Sequence, residues 1–305
     1  MQGSDQPQVT AAVVSWNTRE LLLRCLRSLE PDERAGRLRA WVVDNGSSDG
    51  SPEEVRARAP WAKLLEPGEN LGFGRAVNLV ARQTSSPWLL VANADVALTG
   101  EALRTMLSAG ADPRVGCVAP RLELPGGATQ HSVHPLPTVP FTLAFNLGLC
   151  RLSRRLGERL CLEGLWDPSR ARSVPWAIGA CLLIRRAAFE SVVGFDEQQW
   201  MYAEDLDFGW RLGERGWITY YEPTASVLHE SGASATQAFG EDRRTDFMAA
   251  TYAVLRRRRG RVRAWTTAAL NVMGAAVRAA WDREDARCWL NAHRAAFRTL
   301  RSDDR

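Results

Sequence analysis

The stretch Trp176–Trp217, WAIGACLLIRRAAFESVVGFDEQQWMYAEDLDFGWRLGERGW, places an apolar run, two helix patterns and a group of acids within 42 residues. Residues 176–184 carry almost no charge and have the length of a buried strand, and Gly179 leaves room for a close approach by backbone or ligand. Residues 203–212 have apolar side chains at the spacing of a helix that lies on a core. The stretch therefore predicts a buried strand followed by helices.

Acidic residues begin the second of these helices. Glu204 and Asp205 fall in its first turn and Asp207 follows. The positive end of the helix dipole favours ionised carboxylates, and a charged carboxylate at the rim of a pocket has the property that a general base needs. The alternative is that these acids simply cap a surface helix.

Upstream of this stretch, four apolar runs of strand length alternate with helix patterns. The runs are residues 9–15, 40–43, 62–65 and 88–92. This alternation is typical of an α/β fold with a doubly wound, mostly parallel sheet, in which ligands bind beyond the carboxyl ends of the strands. Polar residues follow three of the runs directly, so three loops are expected to meet at one crevice: Asn17, Asp44 with Asn45, and Asp95.

Each of these loop residues has a plainer interpretation as a turn residue or a helix cap. The glycines of residues 72–74 do not form a dinucleotide fingerprint, because the third glycine is missing and the glycines follow the third strand. Ser51, Pro52 and Glu54 predict a capping box with proline at the first helical position.

The second half of the chain changes character twice. Residues 120–172 are proline-rich and end in an arginine-rich amphipathic piece, which indicates an irregular insertion over the crevice, suited to an acceptor or a membrane surface. From residue 241 the pattern is helical, with breaks at residues 256–263 and around Asp282. We therefore expect a main domain over residues 1–240, divided at residue 119, and a basic helical extension over residues 241–305.

Positive charge is concentrated at the end of the chain. The net charge is +4, but residues 251–305 hold thirteen arginines and five acids. A basic tail favours a phosphate-rich partner, either an anionic membrane surface or nucleic acid. Nucleic acid is disfavoured, because the basic run lacks interleaved aromatic residues apart from Trp265 and no recognition module surrounds it. Codon bias is a plainer explanation, since all the basic residues except Lys63 are arginine.

The sequence predicts a cytoplasmic protein. The six cysteines show no CxxC spacing and mostly have apolar neighbours, as reduced core residues do. Residues 1–8 are polar and do not resemble a signal peptide. The longest uncharged run near the tail, residues 264–277, is too short and too polar to span a bilayer.

Seven motifs in this order resemble the inverting family 2 glycosyltransferases of GT-A fold, and are most similar to the rhamnosyltransferase branch that acts on polyprenyl-linked sugars. The resemblance covers residues 9–235. Its motifs are SWN (15–17), VVDNGSSDG (42–50), NLGFGRAVN (70–78), NAD (93–95), GACLLIRRAAFESVVGFDE (179–197), MYAEDLDFGWR (201–211) and VLHESGAS (227–234).

The resemblance implies a role for each candidate site residue. Asp205 would be the catalytic base that takes the proton from the acceptor hydroxyl, and Glu204 and Trp176 would orient the acceptor. Asp95 and His229 would hold a divalent cation, Mn²⁺ or Mg²⁺, although a lone histidine can also be structural. Asp44 would accept the pyrimidine N3 proton, and the nucleotide would be lined by Ser15, Asn17, Arg75 and Asn93.

Two motifs depart from the family pattern. Asn93 stands where the first aspartate of the metal motif is usual, and Ala94 replaces a common proline, so fewer charges hold the cation. Val193 replaces the first glycine of GGFDE and is expected to alter packing only.

The implied function is transfer of a sugar, rhamnose from dTDP-rhamnose, onto a lipid-linked or cell-envelope glycan, by an enzyme held peripherally at the inner face of the cell membrane. Arg256–Arg263 and residues 141–149 would be the membrane contacts. One alternative keeps the fold with another NDP-sugar and a soluble polysaccharide or natural-product acceptor. Another is a non-catalytic nucleotide-sugar-binding scaffold on the membrane, which the joint presence of Asp95, Asp205 and His229 disfavours.

Overall fold

The computed structural model describes residues 7–230, 243–281 and 285–302. The predicted domain boundary at residue 240, the end of the VLHESGAS motif and the predicted helix break at Asp282 lie outside the described residues.

A nine-stranded mixed sheet forms the centre of the main domain, in the order β3-β2-β1-β4-β10-β6-β11-β5, with β8 beside β11. Strands β3, β2, β1 and β4 run parallel, and β6 runs parallel to β11. β10 runs antiparallel between β4 and β6. The strands of this sheet are β1 Val9–Ser15, β2 Leu38–Asp44, β3 Lys63–Leu65, β4 Trp88–Asn93, β5 Val96–Leu98, β6 Val115–Glu123, β8 Arg172–Val174, β10 Cys181–Arg185 and β11 Ile218–His229.

Helices cover both faces of the sheet, as the predicted doubly wound fold requires. One core cluster contains Leu22 and Leu26 of α1 with Met106 of α4. The other contains Val77 of α3 and Phe208 of α9. The helices of the main domain are α1 Arg19–Arg34, α2 Ser51–Arg58, α3 Phe73–Arg82, α4 Ala102–Ala109, α5 Val139–Asn146, α6 Leu149–Leu152, α7 Arg154–Arg159, α8 Arg186–Ser191 and α9 Glu204–Glu214.

The strand predicted over residues 176–184 is split in two. Trp176–Ala177 forms β9, which pairs with β7 (Val133–His134) in a separate two-stranded sheet, and only β10 joins the main sheet. The chain leaves the ladder because the Ile178 N–H donates to the Ser132 carbonyl and the Gly179 N–H donates to the Asp205 carboxylate. The prediction of one continuous strand was therefore wrong at the residues that face the site.

The capping box predicted at α2 is also absent. The helix is preceded by Gly50, and Asp49 accepts hydrogen bonds from the Ser51 N–H and hydroxyl. Asp49 also accepts a bond from the Arg19 N–H at the start of α1, so one carboxylate serves two helix ends.

Three helices form the C-terminal extension: α10 Arg244–Arg259, α11 Arg261–Trp281 and α12 Asp285–Ser302. α10 ends at Gly260, whose φ of 86° belongs to the left-handed region that glycine favours, so the predicted break in the arginine run is confirmed. The extension packs on α9, because Leu206 and Trp210 share a core cluster with Tyr252 and Leu255. Within the described residues, no helix is long and apolar enough to cross a membrane.

Candidate active site

The start of α9 carries the predicted base. Asp205 Oδ2 accepts a hydrogen bond from the Gly179 N–H at 2.9 Å, and Oδ1 accepts one from the Leu206 N–H at 2.7 Å. Burial raises the pKa of Asp205, and these two backbone donors oppose that rise. A Cβ at Gly179 would lie 3.6 Å from the Asp205 Cβ, which is an ordinary van der Waals distance, so the space around Gly179 does not itself require glycine.

Glu204 lies beside Asp205 in a different environment. Burial raises its pKa strongly, and the neighbouring Asp205 carboxylate raises it further. Glu204 Oε2 has no hydrogen-bond partner among the described residues. Two backbone donors from other residues, Gly179 and Leu206, therefore favour a charge on Asp205, whereas burial and the adjacent carboxylate oppose a charge on Glu204.

Unusual backbone conformations precede this helix. Tyr202 and Ala203 both have positive φ, at 58° and 59°, which side-chain-bearing residues rarely adopt. Such strain is held at a site only when the surrounding contacts fix it. Gln199 supplies two of these contacts, since its amide donates to the carbonyls of Met201 and Tyr202.

The donor side of the site lies at the carboxyl ends of β2 and β1. Asp44 pairs in register with Ser15, is 3% exposed, and accepts the Ser47 N–H through Oδ2. Its Oδ1 has no hydrogen-bond partner in the described chain. Because a buried unpaired carboxylate oxygen is costly, this atom is suited to accept an N–H from a ligand, as the N3 of a pyrimidine offers.

The other nucleotide candidates surround Asp44 in different ways. Asn17 has a φ of 51° and its side-chain oxygen accepts the Ser48 N–H, so it closes the loop over the β2 end. Ser15 is 1% exposed and its hydroxyl bonds to Thr18. Arg75 is half-buried in the first turn of α3.

Asn93 connects the donor side to the base. It ends β4, its N–H donates to the Ala180 carbonyl at 2.9 Å, and the following residue donates to the Val14 carbonyl. Ala180 adjoins Gly179, which binds Asp205. A series of contacts therefore links the end of β1, through residues 93–94 and 179–180, to Asp205 at the start of α9.

Asp95 and His229 form a buried pair at the same edge. Their side chains are 2% and 6% exposed, and His229 Nε2 lies 3.4 Å from Asp95 Oδ1. His229 Nδ1 lies 2.6 Å from Gln130 Oε1, a contact that orients the ring so that Nε2 faces the Asp95 carboxylate. Asp95 Oδ1 has no hydrogen-bond partner among the described residues. An imidazole nitrogen and a carboxylate oxygen at this distance are the kinds of atom that bind a divalent cation.

The described residues contain no group of three or more His, Cys, Asp or Glu that could hold a metal ion. Within the described residues, the candidate ligands at this position are Asp95 and His229. The diphosphate of a donor is the natural source of further oxygens, because hard cations prefer oxygen ligands.

Trp176 lies under the insertion. Its side chain is buried, its Nε1–H donates to the Pro135 carbonyl, and its ring lies 4.7 Å from that of His134. Gly209 of α9 packs against it, since a Cβ there would lie 2.5 Å from the Trp176 Cβ. Trp176 therefore joins the acceptor half to the catalytic helix.

Sequence reasoning missed several residues that hold the site together. Gln130 orients His229 from the insertion. Asn78 accepts the Phe195 N–H and donates to the Phe195 carbonyl, which ties NLGFGRAVN to the GFDE turn. Gly72 has a φ of 75°, and a Cβ there would lie 2.2 Å from the Trp200 carbonyl oxygen. These contacts join residues that are far apart in the sequence. The sequence pointed only to Asn78 and Gly72, because these two residues lie inside motifs.

Comparison with solved structures shows the fold. A mannosyltransferase, PcManGT from Pyrobaculum calidifontis in complex with GDP-Man and Mn²⁺, matches with a TM-score of 0.60 and 19% identity, over 98% of this chain and 88% of that one. GalNAc-T7 with UDP, GalNAc and Mn²⁺ matches with a TM-score of 0.62 and 12% identity, over 99% and 57%. The fold is GT-A, as predicted.

Comparison of sequences shows the family. The N-acetylglucosaminyl-diphospho-decaprenol L-rhamnosyltransferase of Mycobacterium tuberculosis is 35% identical over 221 residues, which are 63% of this chain and 66% of that relative. The family profile described as Glycosyl transferase family 2 matches residues 10–193, and one described as Glycosyl transferase family group 2 matches residues 163–300. The chain therefore belongs to glycosyltransferase family 2 and is rhamnosyltransferase-like.

Proposed function

We propose that this glycosyltransferase moves rhamnose from dTDP-rhamnose onto a lipid-linked sugar acceptor with inversion at the anomeric carbon. The observation that carries the proposal is the Asp205 carboxylate, held by the Gly179 N–H at the end of the contacts that lead from the nucleotide loops. The mycobacterial relative, whose printed name specifies a diphospho-decaprenol acceptor, supports the choice of sugar and acceptor.

The reaction follows from the position of Asp205. Its carboxylate takes the proton of an acceptor hydroxyl while that oxygen forms a bond to the anomeric carbon. The bond from that carbon to the nucleoside diphosphate breaks on the opposite face, and the electron pair leaves with the diphosphate. Glu204, which keeps its proton, can donate a hydrogen bond to the acceptor, and Trp176 fixes the helix that carries both acids.

The donor is held from the other side of the crevice. Asp44 Oδ1 is free to accept the N3–H of the pyrimidine, and Ser15, Asn17, Arg75 and Asn93 complete the nucleotide pocket. Asp95 and His229 would hold a divalent cation. Such a cation supplies positive charge that stabilises the leaving diphosphate.

Replacement of Asp205 by asparagine tests the function. The asparagine side chain keeps the size of aspartate but cannot take a proton, so turnover should fall about 10²- to 10⁴-fold. Rhamnosyl transfer to a GlcNAc-diphospho-lipid is measured together with dTDP-rhamnose affinity, which should stay nearly unchanged. Turnover close to wild type would remove Asp205 as the base, and turnover with another NDP-sugar or a soluble acceptor alone would favour the alternative substrates.

The cation is tested by its removal. A carboxylate and an imidazole together suit Mn²⁺ better than Mg²⁺, so a chelator should abolish transfer and Mn²⁺ should restore it best. His229→Ala should raise the Mn²⁺ concentration that gives half-maximal activity, whereas Gln130→Ala should raise it less because it only frees the orientation of the ring. Full activity in excess chelator would contradict the cation, and an unchanged Mn²⁺ requirement in His229→Ala would make that histidine structural.

We also propose that the enzyme works at the cytoplasmic face of the membrane, as a peripheral protein. A lipid-linked acceptor presents its sugar there. The insertion supports this proposal, since it exposes a series of aliphatic side chains beside exposed arginines: Leu143, Leu147, Leu149, Leu152 and Leu156 with Arg154, Arg155 and Arg159.

A further inference from the structure

A cleft of about 540 Å³ opens between the insertion and the C-terminal extension, apart from the nucleotide pocket. Pro137 and Val139 line one wall, and Leu255 of α10 lines the other. Trp210 of α9 also lines it, so the catalytic helix forms part of its wall. The volume and the mostly apolar lining are those of a small-molecule site.

Two arginines of the extension also line this cleft. The Arg259 guanidinium lies 4.3 Å from the Trp210 ring centroid and pairs with Glu214, while its Nε has no hydrogen-bond partner among the described residues. Arg263 is exposed and forms no ion pair within the described part of the chain. Two guanidinium groups beside an apolar wall suit an anion that carries a hydrocarbon chain.

Thr267 gives an independent sign of a ligand. It lines the cleft, it is 1% exposed, and its hydroxyl has no hydrogen-bond partner in the described chain. A buried hydroxyl without a partner is costly unless something else satisfies it. A phosphate oxygen in the cleft would do so.

We propose that this cleft binds the diphosphate and the first isoprene units of a prenyl-diphosphate-linked acceptor, with Arg259 and Arg263 on the diphosphate. The identity of the occupant rests on the proposed function. The diphosphate would lie by the arginines and Thr267, and the isoprene units would lie along Pro137, Val139 and Leu255.

The position of the cleft agrees with this occupant. Trp210 follows Asp205 by five residues on α9, a rise of about 7.5 Å along the helix axis, so the cleft adjoins the helix that carries the proposed base. Leu206 and Trp210 belong to one core cluster with Trp176, so the two sites share a rigid support. Val139 begins α5, whose exposed Leu143 leads away from the cleft towards the rest of the insertion.

Binding of farnesyl diphosphate to the full chain tests the cleft. The titration follows tryptophan fluorescence in the presence of chelator, so that no cation can recruit the diphosphate to Asp95. Farnesyl diphosphate should bind more tightly than farnesol or inorganic diphosphate, because only it fills both parts of the cleft. Arg263→Gln should weaken binding about tenfold or more, the loss expected for a charge-assisted hydrogen bond.

Arg294→Gln is the matched control, because Arg294 is an exposed arginine of α12 that does not line the cleft. It should bind the probe as wild type does. Equal weakening in both variants would mean that only net charge matters, and wild-type binding by Arg263→Gln or absence of binding would overturn the proposal. Melting temperatures establish that each variant is folded.

A rhamnosyl-transfer assay separates this inference from the proposed function. Transfer to the lipid-linked acceptor combined with binding that ignores Arg263 would refute the cleft and leave the function standing. Binding that depends on Arg263 in a protein that transfers no rhamnose would refute the proposed substrates and leave a prenyl-diphosphate site.

Discussion

Glu204 and Asp205 are neighbours in sequence, but they lie in different electrostatic surroundings. Two backbone N–H groups support the charge of Asp205, whereas Glu204 has burial and an adjacent carboxylate to oppose its charge. The helix dipole, which the sequence pattern invoked for both acids, does not separate them. The separation comes from Gly179, a residue 26 positions away from Asp205 in the chain.

Val193 is a residue whose effect differs from the prediction. It was expected to alter packing, but its side chain is 88% exposed and its φ is 61°. A β-branched residue is strained in the left-handed region. Valine in place of the family glycine therefore strains the backbone at this position and does not alter the packing.

Val193→Gly should therefore stabilise the protein. Relief of the strained φ contributes about 1–3 kcal/mol, and the greater freedom of glycine in the unfolded chain takes back about 0.5–1 kcal/mol. Denaturant titration should show a net gain of about 1 kcal/mol in the free energy of unfolding. Val277→Gly, at an exposed position inside α11, should destabilise the protein. A lower free energy of unfolding in both variants would mean that Val193 is not strained.

Among the helices, the C-terminal extension binds α9 through one carboxylate. Asp207 is fully buried, its Oδ2 accepts Arg211 Nε at 2.7 Å, and its Oδ1 accepts Arg258 Nε at 2.6 Å. Arg258 also bonds to Asp196 in the GFDE turn at 2.9 Å. One arginine of α10 therefore fixes both the start of α9 and the turn before it.

Arg258→Gln should lower both stability and turnover. Loss of a charge-assisted hydrogen bond to a buried acid costs about 2 kcal/mol, and Arg258 is partly exposed, which limits the effect. In a double-mutant cycle with Asp207→Asn, the coupling in the free energy of unfolding should be about 1–3 kcal/mol. The control change Arg294→Gln should alter the free energy of unfolding by less than about 0.5 kcal/mol.

Two results would show that the contact between Arg258 and Asp207 does not support the site. One is additivity of Arg258→Gln and Asp207→Asn, which would show that the pair is not coupled. The other is an unchanged turnover number in Arg258→Gln at saturating donor and acceptor, which would make the contact structural only.

The sequence predicts where strands and helices lie better than it predicts which of them pair with each other. Apolar period and length located β1, β2, β4 and α9, because those signals are local. The antiparallel position of β10 and the separation of β9 from it depend on Ser132 and Asp205, which lie far away in sequence. The site residues came from motifs, whereas Gln130 and Arg258 lie outside any motif and act only through tertiary contacts.

In the whole molecule, several arginines of the basic run, residues 256–263, form hydrogen bonds with the main domain. Arg257 bonds to Gln199, Arg258 to Asp207, and Arg259 to Glu214. Half of the six arginines in residues 256–263 therefore bind the main domain, so charge reversal there would disturb the fold before it reported on a membrane.

The exposed apolar surface lies elsewhere. Leu147 and Leu152 of the insertion are 63% and 82% exposed. Met273 and Val277 are exposed on α11, which contacts α5 through a hydrogen bond between Asn146 and Asn271. Single exposed leucines are ordinary, but several on adjoining helices beside arginines suit a membrane interface.

Replacement of both Leu147 and Leu152 by glutamate should therefore release the protein from anionic liposomes. The change removes two apolar side chains, each worth up to about 1.5–3 kcal/mol when fully buried, and adds charge of the same sign as the lipid. Co-sedimentation at low salt should fall at least tenfold, and wild-type binding should weaken as ionic strength rises, because a Debye length of about 10 Å at 0.1 M screens exposed charges.

Val262→Glu is the matched comparison, since Val262 is 78% exposed but lies within the basic run. It should bind liposomes nearly as wild type does. If Val262→Glu releases the protein and the leucine pair does not, the start of α11 is the membrane contact, as the charge pattern of the sequence indicated. If neither change matters, attraction to a lipid-linked acceptor depends on the cleft beside Arg263 and not on the membrane surface.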